Sequence, residues 1–596
     1  MGAQPSSERR LWWQIFGLLV LVCTVWAVAV PPMTGPDESS NAIRAAAVAR
    51  GQWTGDPMPE IMDGAPEWAN VLVEVEVPES FVDAGFVGAC FTGVPRELFF
   101  GAYVPQPRGR ECPQLTESET PVSSVTYEYR GQPFYYFLVG LPTLLAVDDL
   151  GAFGMRLVGL LMCSALLASA LVSVLRLRGR SLVVLGAIVA LSPEVLYLAS
   201  TQNPAGLEIA SALALWAAGL AMVTGVDDPD RRLVTRLGIA LVVLVLTRGL
   251  SPAFAVGILA VLAFVARPGR VRHLVGRVDV RVWAGVAAAA AAVSATWLYY
   301  IHEVFPLDGY PPTGFDKAWD RIPWWTQGMV GVFGSTDIIP PVILTWAWVA
   351  GAAAIVVLAV ARGSWHALLA VGMVVGSVGI LISGEGFGVP QTGFWWQGRY
   401  VLPVIVGALL LAPAGIRAAR SEGAGAEPDT AAAGNGDGDG DGDGDGDGDS
   451  NGDQPDGAAR PEAGTPATAA GRTSEADDPL IRRRAWPALA TLFVVGHVWC
   501  FTYALRHYTV GHDGSLNPVD FLFDPIWSPP LHPALLLVLF VGAVGGLVAV
   551  LWRATFPADE VARPDEQSVD YRPASVIAGR LHGDRPARRL ARVRDV

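Results

Sequence analysis

The chain has 596 residues, of which 52% are hydrophobic and 16% are charged, and its formal net charge is −14. Apolar runs of about 20 residues, the length that crosses roughly 30 Å of hydrocarbon, recur along it. Residues 421–478 hold 16 acidic and 2 basic residues, so this one segment accounts for the net acidity. The composition therefore predicts an all-α polytopic membrane protein, and the lack of a basic domain excludes nucleic acid as a partner.

The first predicted span is Leu11–Val30, which follows Arg9 and Arg10. This run is too long for the apolar region of a signal peptide and lacks a convincing small-residue cleavage site, so we expect it to remain as an anchor. The positive-inside rule then places the N-terminus in the cytoplasm and a large polar loop, residues 31–133, outside it.

The remaining spans are predicted to alternate so that arginine clusters face the cytoplasm. The apolar stretch at 133–147 is short for a span, and we interpret it as an interfacial or re-entrant helix. Further spans are expected at 151–175, 182–200, 205–224, twice within 234–266, and at 282–301, 341–361, 365–383, 400–416, 485–505 and 531–552. This makes about 12 transmembrane helices with both termini cytoplasmic. The amino-acid usage of the chain suggests a GC-rich bacterial genome, so we expect the membrane to be a bacterial plasma membrane.

The chain divides into a transmembrane core at 11–416, an acidic linker at 417–484, a final pair of helices at 485–552 and a basic cytoplasmic tail at 553–596. The linker contains an alternating Asp-Gly run and is predicted to be disordered, because it is highly charged and has few apolar residues. A calcium-binding repeat is the alternative, but such repeats need a bulky apolar residue in each turn.

Five cysteines are present, and three of them lie in predicted spans. Cys90 and Cys112 share the external loop, where a disulfide between them is expected, with two free thiols as the alternative. No Cys or His spacing is typical of a metal site, so neither a metal nor another cofactor is predicted.

Once this topology is drawn, unusual polar residues collect at the outer ends of the spans. Charged groups close to the membrane often mark a functional site, although chance charges in surface loops explain residues such as Asp308 and Asp320 equally well. Arg248 and Arg399 are harder to explain in that way, since each adjoins an apolar span. The candidate site residues are Asp37, Glu38, Asn41, Arg44, Asn203, Arg248, Gln397, Arg399 and Tyr400.

Asp37 and Glu38 follow Pro36 at the start of an alanine-rich stretch, which predicts a helix that ends near Gly51. Both carboxylates could simply cap this helix and oppose its dipole. Alternatively, an ionised Asp37 could take a proton from a hydroxyl group during group transfer. Arg248 or Arg399 could hold a phosphate, because the guanidinium fork matches phosphate oxygens. Trp324, Trp325, Trp395 and Trp396 could stack on sugars or belong to an interfacial belt.

Several segments resemble one bacterial multi-pass membrane family, catalogued as domain of unknown function 2142. They are Pro36-Asp37-Glu38 with Asn41, Arg44 and Ala45, then Gln202-Asn203-Pro204, Phe333-Gly334 and Gln397-Gly398-Arg399-Tyr400-Val401-Leu402-Pro403. The family looks like a branch of the GT-C membrane glycosyltransferases, which take sugars from polyprenyl phosphates and use an acidic residue in the first external loop. The resemblance implies that Asp37 is the base, with Glu38 beside it, and that Arg399 contacts the donor phosphate.

One departure from the family concerns Asn41, which stands where the family commonly has histidine and cannot titrate. The leading hypothesis is an outward-facing glycosyltransferase with a polyprenyl-phosphate sugar as donor and an envelope glycan or lipid as acceptor, surrounded by membrane lipids. The alternatives are a transporter or flippase of a lipid-linked intermediate, and a non-catalytic scaffold for envelope assembly.

Overall fold

The computed structural model describes residues 5–57, 72–82, 91, 115–177, 180–225, 228–304, 315–387, 396–416, 480–512 and 514–557. The helices in chain order are α1 (Pro5–Ala29), α2 (Glu38–Ala49), α3 (Pro133–Gly140), α4 (Asp149–Val174), α5 (Arg180–Ala190), α6 (Pro193–Leu198), α7 (Pro204–Thr224), α8 (Arg231–Val245), α9 (Ser251–Val265), α10 (Arg270–Gly276), α11 (Val278–Val304), α12 (Phe315–Asp320), α13 (Ile322–Val330), α14 (Val342–Ala361), α15 (His366–Phe387), α16 (Leu402–Ala414), α17 (Trp486–Val510), α18 (Pro518–Phe523) and α19 (Pro533–Thr555).

Eight of the described helices are long and apolar enough to cross a membrane: α1, α4, α7, α11, α14, α15, α17 and α19. The other four predicted spans contain only shorter helices: α5 and α6 in one span, and α8, α9 and α16 in the other three. A helix of 15 residues, such as α8 or α9, extends about 22 Å and is shorter than the hydrocarbon layer. The count of 12 spans therefore stays a prediction.

Helix α7 lies at the centre of the bundle and packs against α4, α8 and α16. Helix α7 is entirely enclosed by protein, whereas α11 lies at the periphery, and only 11% of its most apolar 18-residue segment is buried. Because both helices are apolar on all sides, this contrast is expected where lipid rather than water surrounds the outer helices.

One end of the bundle is marked by ion pairs between helix termini. Glu8 in α1 accepts hydrogen bonds from Arg176 and from Arg236, the latter at 2.6 Å. Arg176 also donates to Asp230, at 2.9 Å. These contacts bring the start of α1, the end of α4 and the start of α8 together, as the alternating topology requires. We call this the arginine end, and the opposite end, which carries α2 and the first loop, the loop end.

The first loop contains a small antiparallel sheet that the all-α prediction missed. Its strands are β1 (Asp56–Pro57), β2 (Val73–Pro78) and β3 (Pro121–Thr126), in that order, with Val73 opposite Thr126 and Pro78 opposite Pro121. The Val-Glu-Val-Glu-Val alternation at 73–77 explains β2, since it buries the valines and exposes the glutamates. A short alternation within a long polar loop is a weak signal beside the apolar spans.

Helix α3 has eight residues and extends about 12 Å, so it cannot cross a bilayer. This agrees with the interpretation of residues 133–147 as a segment that does not span. The helix packs closely on α2, because a Cβ atom at Gly140 would lie 2.2 Å from the carbonyl oxygen of Ala45. Together α2, α3 and the sheet form a folded layer at the loop end.

Cys23, Cys163 and Cys500 are buried free thiols, as expected for small core residues. Cys90, Cys112 and Trp395 lie outside the described residues, as do 417–479 and 558–596. The disulfide, the disorder of the linker and the basic tail therefore stay predictions.

Candidate functional site

Asp37 precedes the first residue of α2 in a left-handed backbone conformation, with φ of 56° and ψ of 13°. This conformation is uncommon for residues with a side chain. The carboxylate makes no capping hydrogen bond to the helix, so the simple capping interpretation is wrong for Asp37. Instead, the Arg399 guanidinium donates to Oδ2 and the Tyr127 hydroxyl donates to Oδ1 at 3.0 Å. The side chain keeps 30% exposure at the loop end.

Glu38, the adjacent residue, is buried in an ion pair. Arg156 of α4 donates to both of its carboxylate oxygens, at 2.6 and 2.7 Å, and the backbone amides of Gly35 and Gln202 donate at 2.8 and 3.0 Å. The same guanidinium donates to carbonyl oxygens at and after the end of α1. With four donors and 2% exposure, Glu38 fits a structural role better than the catalytic one suggested by the sequence.

Arg248 lies in the turn between α8 and α9, two short helices that meet at the loop end. Glu208 of α7 accepts a hydrogen bond from its Nη1 at 3.2 Å and another from the Ser251 hydroxyl at 2.6 Å. Gln132 donates to the carbonyl oxygen of Arg248 at 2.9 Å. These contacts hold the backbone of the turn and one side of the guanidinium, while the Arg248 side chain remains 30% exposed.

Arg399 and Tyr400 belong to a short 3-10 turn, Gly398–Val401, that leads into α16. The Tyr400 ring lies close to two cations, with its centroid 5.2 Å from the Arg248 guanidinium carbon and 5.7 Å from that of Arg399. Both arginines therefore converge on the side of the bundle that holds Asp37. Gln397 contributes its carbonyl oxygen, which accepts from the Tyr400 amide at 3.0 Å.

Glu128 was missed by sequence reasoning, because it is one of many acidic residues in the first loop. It lies in the short 3-10 turn Glu128–Arg130 after β3 and is half-buried. The Tyr136 hydroxyl is 3.2 Å from Glu128 Oε2 and 2.9 Å from Asn41 Oδ1. Burial raises the pKa of Glu128 to about 7, the negative charge of Asp37 adds to this increase, and the charge of Arg248 opposes it.

Arg44 is fully buried, and its guanidinium donates to the carbonyl oxygens of Gln52 and Trp53. It also lies 5.9 Å from the Tyr136 ring centroid, and burial lowers its pKa to about 10, so it stays a cation at neutral pH. Asn203 caps α7 by accepting from the Ala205 amide at 2.9 Å and donates to the carbonyl oxygen of Pro36 at 2.7 Å. Asn203 thus positions the Asp37 segment from within the protein.

Three buried nitrogen atoms of this region have no hydrogen-bond partner within the described parts of the chain: Asn41 Nδ2, Arg44 Nε and Arg399 Nε. A buried donor without an acceptor costs about 1–3 kcal/mol, so water or a ligand rich in oxygen is expected to satisfy such groups. All three belong to residues that contact Tyr136, Tyr400 or Asp37.

Trp325 is a core residue and not a sugar-stacking platform, since it is 1% exposed and packs with Ala318, Leu381 and Val401. Trp324 and Trp396 are only half-buried beside it. In the ranges that the structure describes, no three His, Cys, Asp or Glu side chains are arranged to hold a metal ion. A cavity of about 540 Å³ lies elsewhere, between Arg231 of α8, Arg277 just before α11 and Trp283 of α11.

The cluster of Asp37, Glu128, Arg248, Arg399 and Tyr400, called the outer cluster below, therefore combines two carboxylates with two cations. No curated protein and no solved structure matches this chain. A family model described as "Predicted membrane protein (DUF2142)" matches residues 19–408, about two thirds of the sequence, and this range includes every residue of the outer cluster. The chain thus belongs to the DUF2142 family of membrane proteins.

Proposed function

We propose that this protein is a membrane glycosyltransferase that transfers a sugar from a polyprenyl phosphate to an envelope glycan or lipid at the loop end. The observation that carries the proposal is the convergence of Arg248 and Arg399 on Tyr400, beside the partly exposed Asp37. Cations and a carboxylate in one site suit a reaction in which a phosphate leaves and a hydroxyl group loses a proton.

Both arginines keep donor capacity for a phosphate. Glu208 contacts only one nitrogen of Arg248, and Arg399 Nε is buried without a partner in the described chain. A leaving phosphate gains negative charge as its bond to the sugar breaks, so nearby guanidinium groups stabilise the transition state more than the ground state. The positions of these groups at the ends of short apolar helices favour a substrate carried by a lipid.

A transporter of a lipid-linked intermediate is the second candidate. The interruption between α8 and α9, with Arg248 in the break, is the observation that favours it, since interrupted helices are common at transporter binding sites. The charged groups described above cluster at the two ends of the bundle and not along a path between them. This distribution favours the transferase.

The test is to delete the gene and restore it as wild type or as a variant, then to analyse envelope glycans and lipid-linked sugars by mass spectrometry. We expect the deletion and Asp37→Asn to lose one sugar from an envelope component and to accumulate its lipid-linked donor. Arg399→Gln should behave in the same way.

The matched control is Glu117→Gln, which neutralises an exposed carboxylate of the same loop outside the cluster. It should restore the wild-type glycans. Wild-type glycans in cells that carry Asp37→Asn at normal membrane levels would contradict the proposed role of the site. Accumulation of a complete, untransferred intermediate on the inner leaflet would instead favour the transporter.

A further inference from the structure

Three carboxylates near the ends of the first loop, Asp37, Glu38 and Glu128, differ in how many hydrogen bonds they accept. Glu38 accepts four hydrogen bonds from two nitrogens of Arg156 and two backbone amides. Asp37 accepts from a guanidinium and from the Tyr127 hydroxyl. For Glu128 only the Tyr136 hydroxyl is close enough to donate in the described parts of the chain. Its single hydrogen serves either Glu128 or Asn41 at any moment.

The number of hydrogen-bond donors affects how readily each carboxylate accepts a proton. Each donor stabilises the ionised form of a carboxylate and makes it a weaker base, and burial acts in the opposite sense. Asp37 is held directly by Arg399, whereas Glu128 is half-buried and has one shared, neutral donor. A base that must accept a proton near neutral pH works best when its own affinity for the proton is matched to that pH.

We propose that Glu128 is the group that accepts the proton of the acceptor hydroxyl, while Asp37 is a positioning residue that holds Arg399 toward the donor phosphate. This inference rests on the proposed glycosyl transfer, and it moves to Glu128 the role of base that the sequence analysis gave to Asp37.

The acceptor oxygen forms a bond to the anomeric carbon of the sugar, and the bond between that carbon and the phosphate oxygen breaks. The electron pair of the broken bond stays on the polyprenyl phosphate, which Arg248 and Arg399 face. The hydroxyl proton moves to Glu128 and afterwards to water, because the site opens at the loop end. No oxidant or reductant is needed.

The charged and titratable groups around Glu128 come from every element of the site and determine how its proton affinity responds to mutation. They are Asp37 before α2, Arg44 within α2, Tyr127 in the first loop, Tyr136 in α3, Arg248 between α8 and α9, and Arg399 before α16. Removing the negative charge of Asp37 should lower the pKa of Glu128. Removing the Tyr136 hydroxyl should raise it.

The experiment uses the full-length protein in liposomes, with synthetic polyprenyl-phosphate hexoses and pentoses as donors and an envelope extract from the deletion strain as acceptor. Release of polyprenyl phosphate is measured between pH 5 and pH 9. The wild-type rate should fall about tenfold per pH unit below pH 7, because the protonated carboxyl cannot act as a base. Glu128→Gln should lose this dependence and at least about 100-fold in rate.

Two further variants test the assignment without removing Glu128. Asp37→Asn should keep only a low residual rate, too small to restore the glycans in cells, and the acidic limb of this residual activity should move to lower pH. Tyr136→Phe should move the acidic limb to higher pH. Glu117→Gln should leave the profile unchanged. A carboxyl band that titrates near pH 7 in the infrared spectrum of the wild type should be absent in Glu128→Gln.

Different results would contradict the proposed glycosyl transfer and the assignment of Glu128 as the base. Absence of polyprenyl phosphate release by the wild type with every donor would overturn the proposed function, and the assignment of Glu128 with it. Wild-type release together with an unchanged rate and profile in Glu128→Gln would overturn only the assignment of Glu128. A shift of the acidic limb in the opposite direction in Asp37→Asn or Tyr136→Phe would also overturn it.

Discussion

Asp37 and Glu38 are adjacent in the chain but have opposite surroundings. The left-handed conformation at Asp37 turns its carboxylate away from the α2 amides and toward Arg399, while Glu38 points into the protein and pairs with Arg156. Two neighbouring carboxylates can thus serve different purposes, one in a site that water reaches and one in the structure that holds the site.

The Glu38–Arg156 pair provides a stability prediction at the level of single residues. Glu38→Gln should lower the free energy of unfolding by about 3–5 kcal/mol, because it leaves a buried cation without its charge partner. Thermal unfolding in detergent measures the effect, with Glu117→Gln as the control. A variant as stable as the wild type would contradict the structural role of Glu38.

The same pair predicts how stability depends on pH. Burial raises the pKa of Glu38, but the charge and hydrogen bonds of Arg156 together with the Gln202 and Gly35 amides outweigh burial, so its pKa lies below the usual range. The unfolded state therefore binds the proton more readily than the folded state, and the stabilisation is present above the unfolded pKa of about 4.3. It should be lost as the pH falls through the folded pKa, and the melting temperature of Glu38→Gln should show a smaller decrease over that range.

At the scale of elements, short helices place polar residues at the loop end. Helices α8, α9 and α16 stop or start beside Arg248, Arg399 and Tyr400, so the turns between apolar segments hold the charged side chains. Each turn is fixed by contacts to another element, as Gln132 holds Arg248 and α13 contacts the turn at Gly398. The site therefore depends on the packing of turns and not on any single helix.

Gly398→Ala tests this dependence on turn packing. A Cβ atom at Gly398 would lie 1.9 Å from the carbonyl oxygen of Trp325, so the turn that carries Arg399 and Tyr400 must move. We expect a loss of stability of about 1–3 kcal/mol, the usual cost of overpacking, and reduced glycan restoration in the deletion strain. Gly372→Ala is the matched control, since no atom lies within 4 Å of its added Cβ. Equal behaviour of both variants would contradict the close packing at Gly398.

At the scale of the whole molecule, the bundle has two chemically different ends. The arginine end gathers ion pairs of Glu8, Arg176, Asp230 and Arg236, and the loop end gathers the outer cluster and the folded first loop. The positive-inside rule predicts that the arginine end faces the cytoplasm, so that the outer cluster faces the outside.

Labelling of introduced cysteines checks this orientation. Glu117→Cys in the first loop and Arg9→Cys near the start of α1 are both at exposed positions, and each is made in a chain with Cys90→Ser and Cys112→Ser. A membrane-impermeant maleimide should label the first variant in intact cells and the second only after permeabilisation. The buried Cys23, Cys163 and Cys500 serve as the internal control and should stay unlabelled. The reverse pattern would contradict the predicted topology.

The sequence by itself determined which segments are long apolar helices, that Asp37 and Glu38 begin a helix after the first of them, and where Arg248 and Arg399 adjoin apolar segments. These features depend on runs of neighbouring residues, since transfer into hydrocarbon and helix initiation are local. Only the tertiary structure decided that Asp37 pairs with Arg399, 362 positions away, that Glu38 pairs with Arg156, and that Glu128 joins the outer cluster. Such pairings depend on how helices pack, and a sequence pattern of single charges carries no information about which partner the packing brings near.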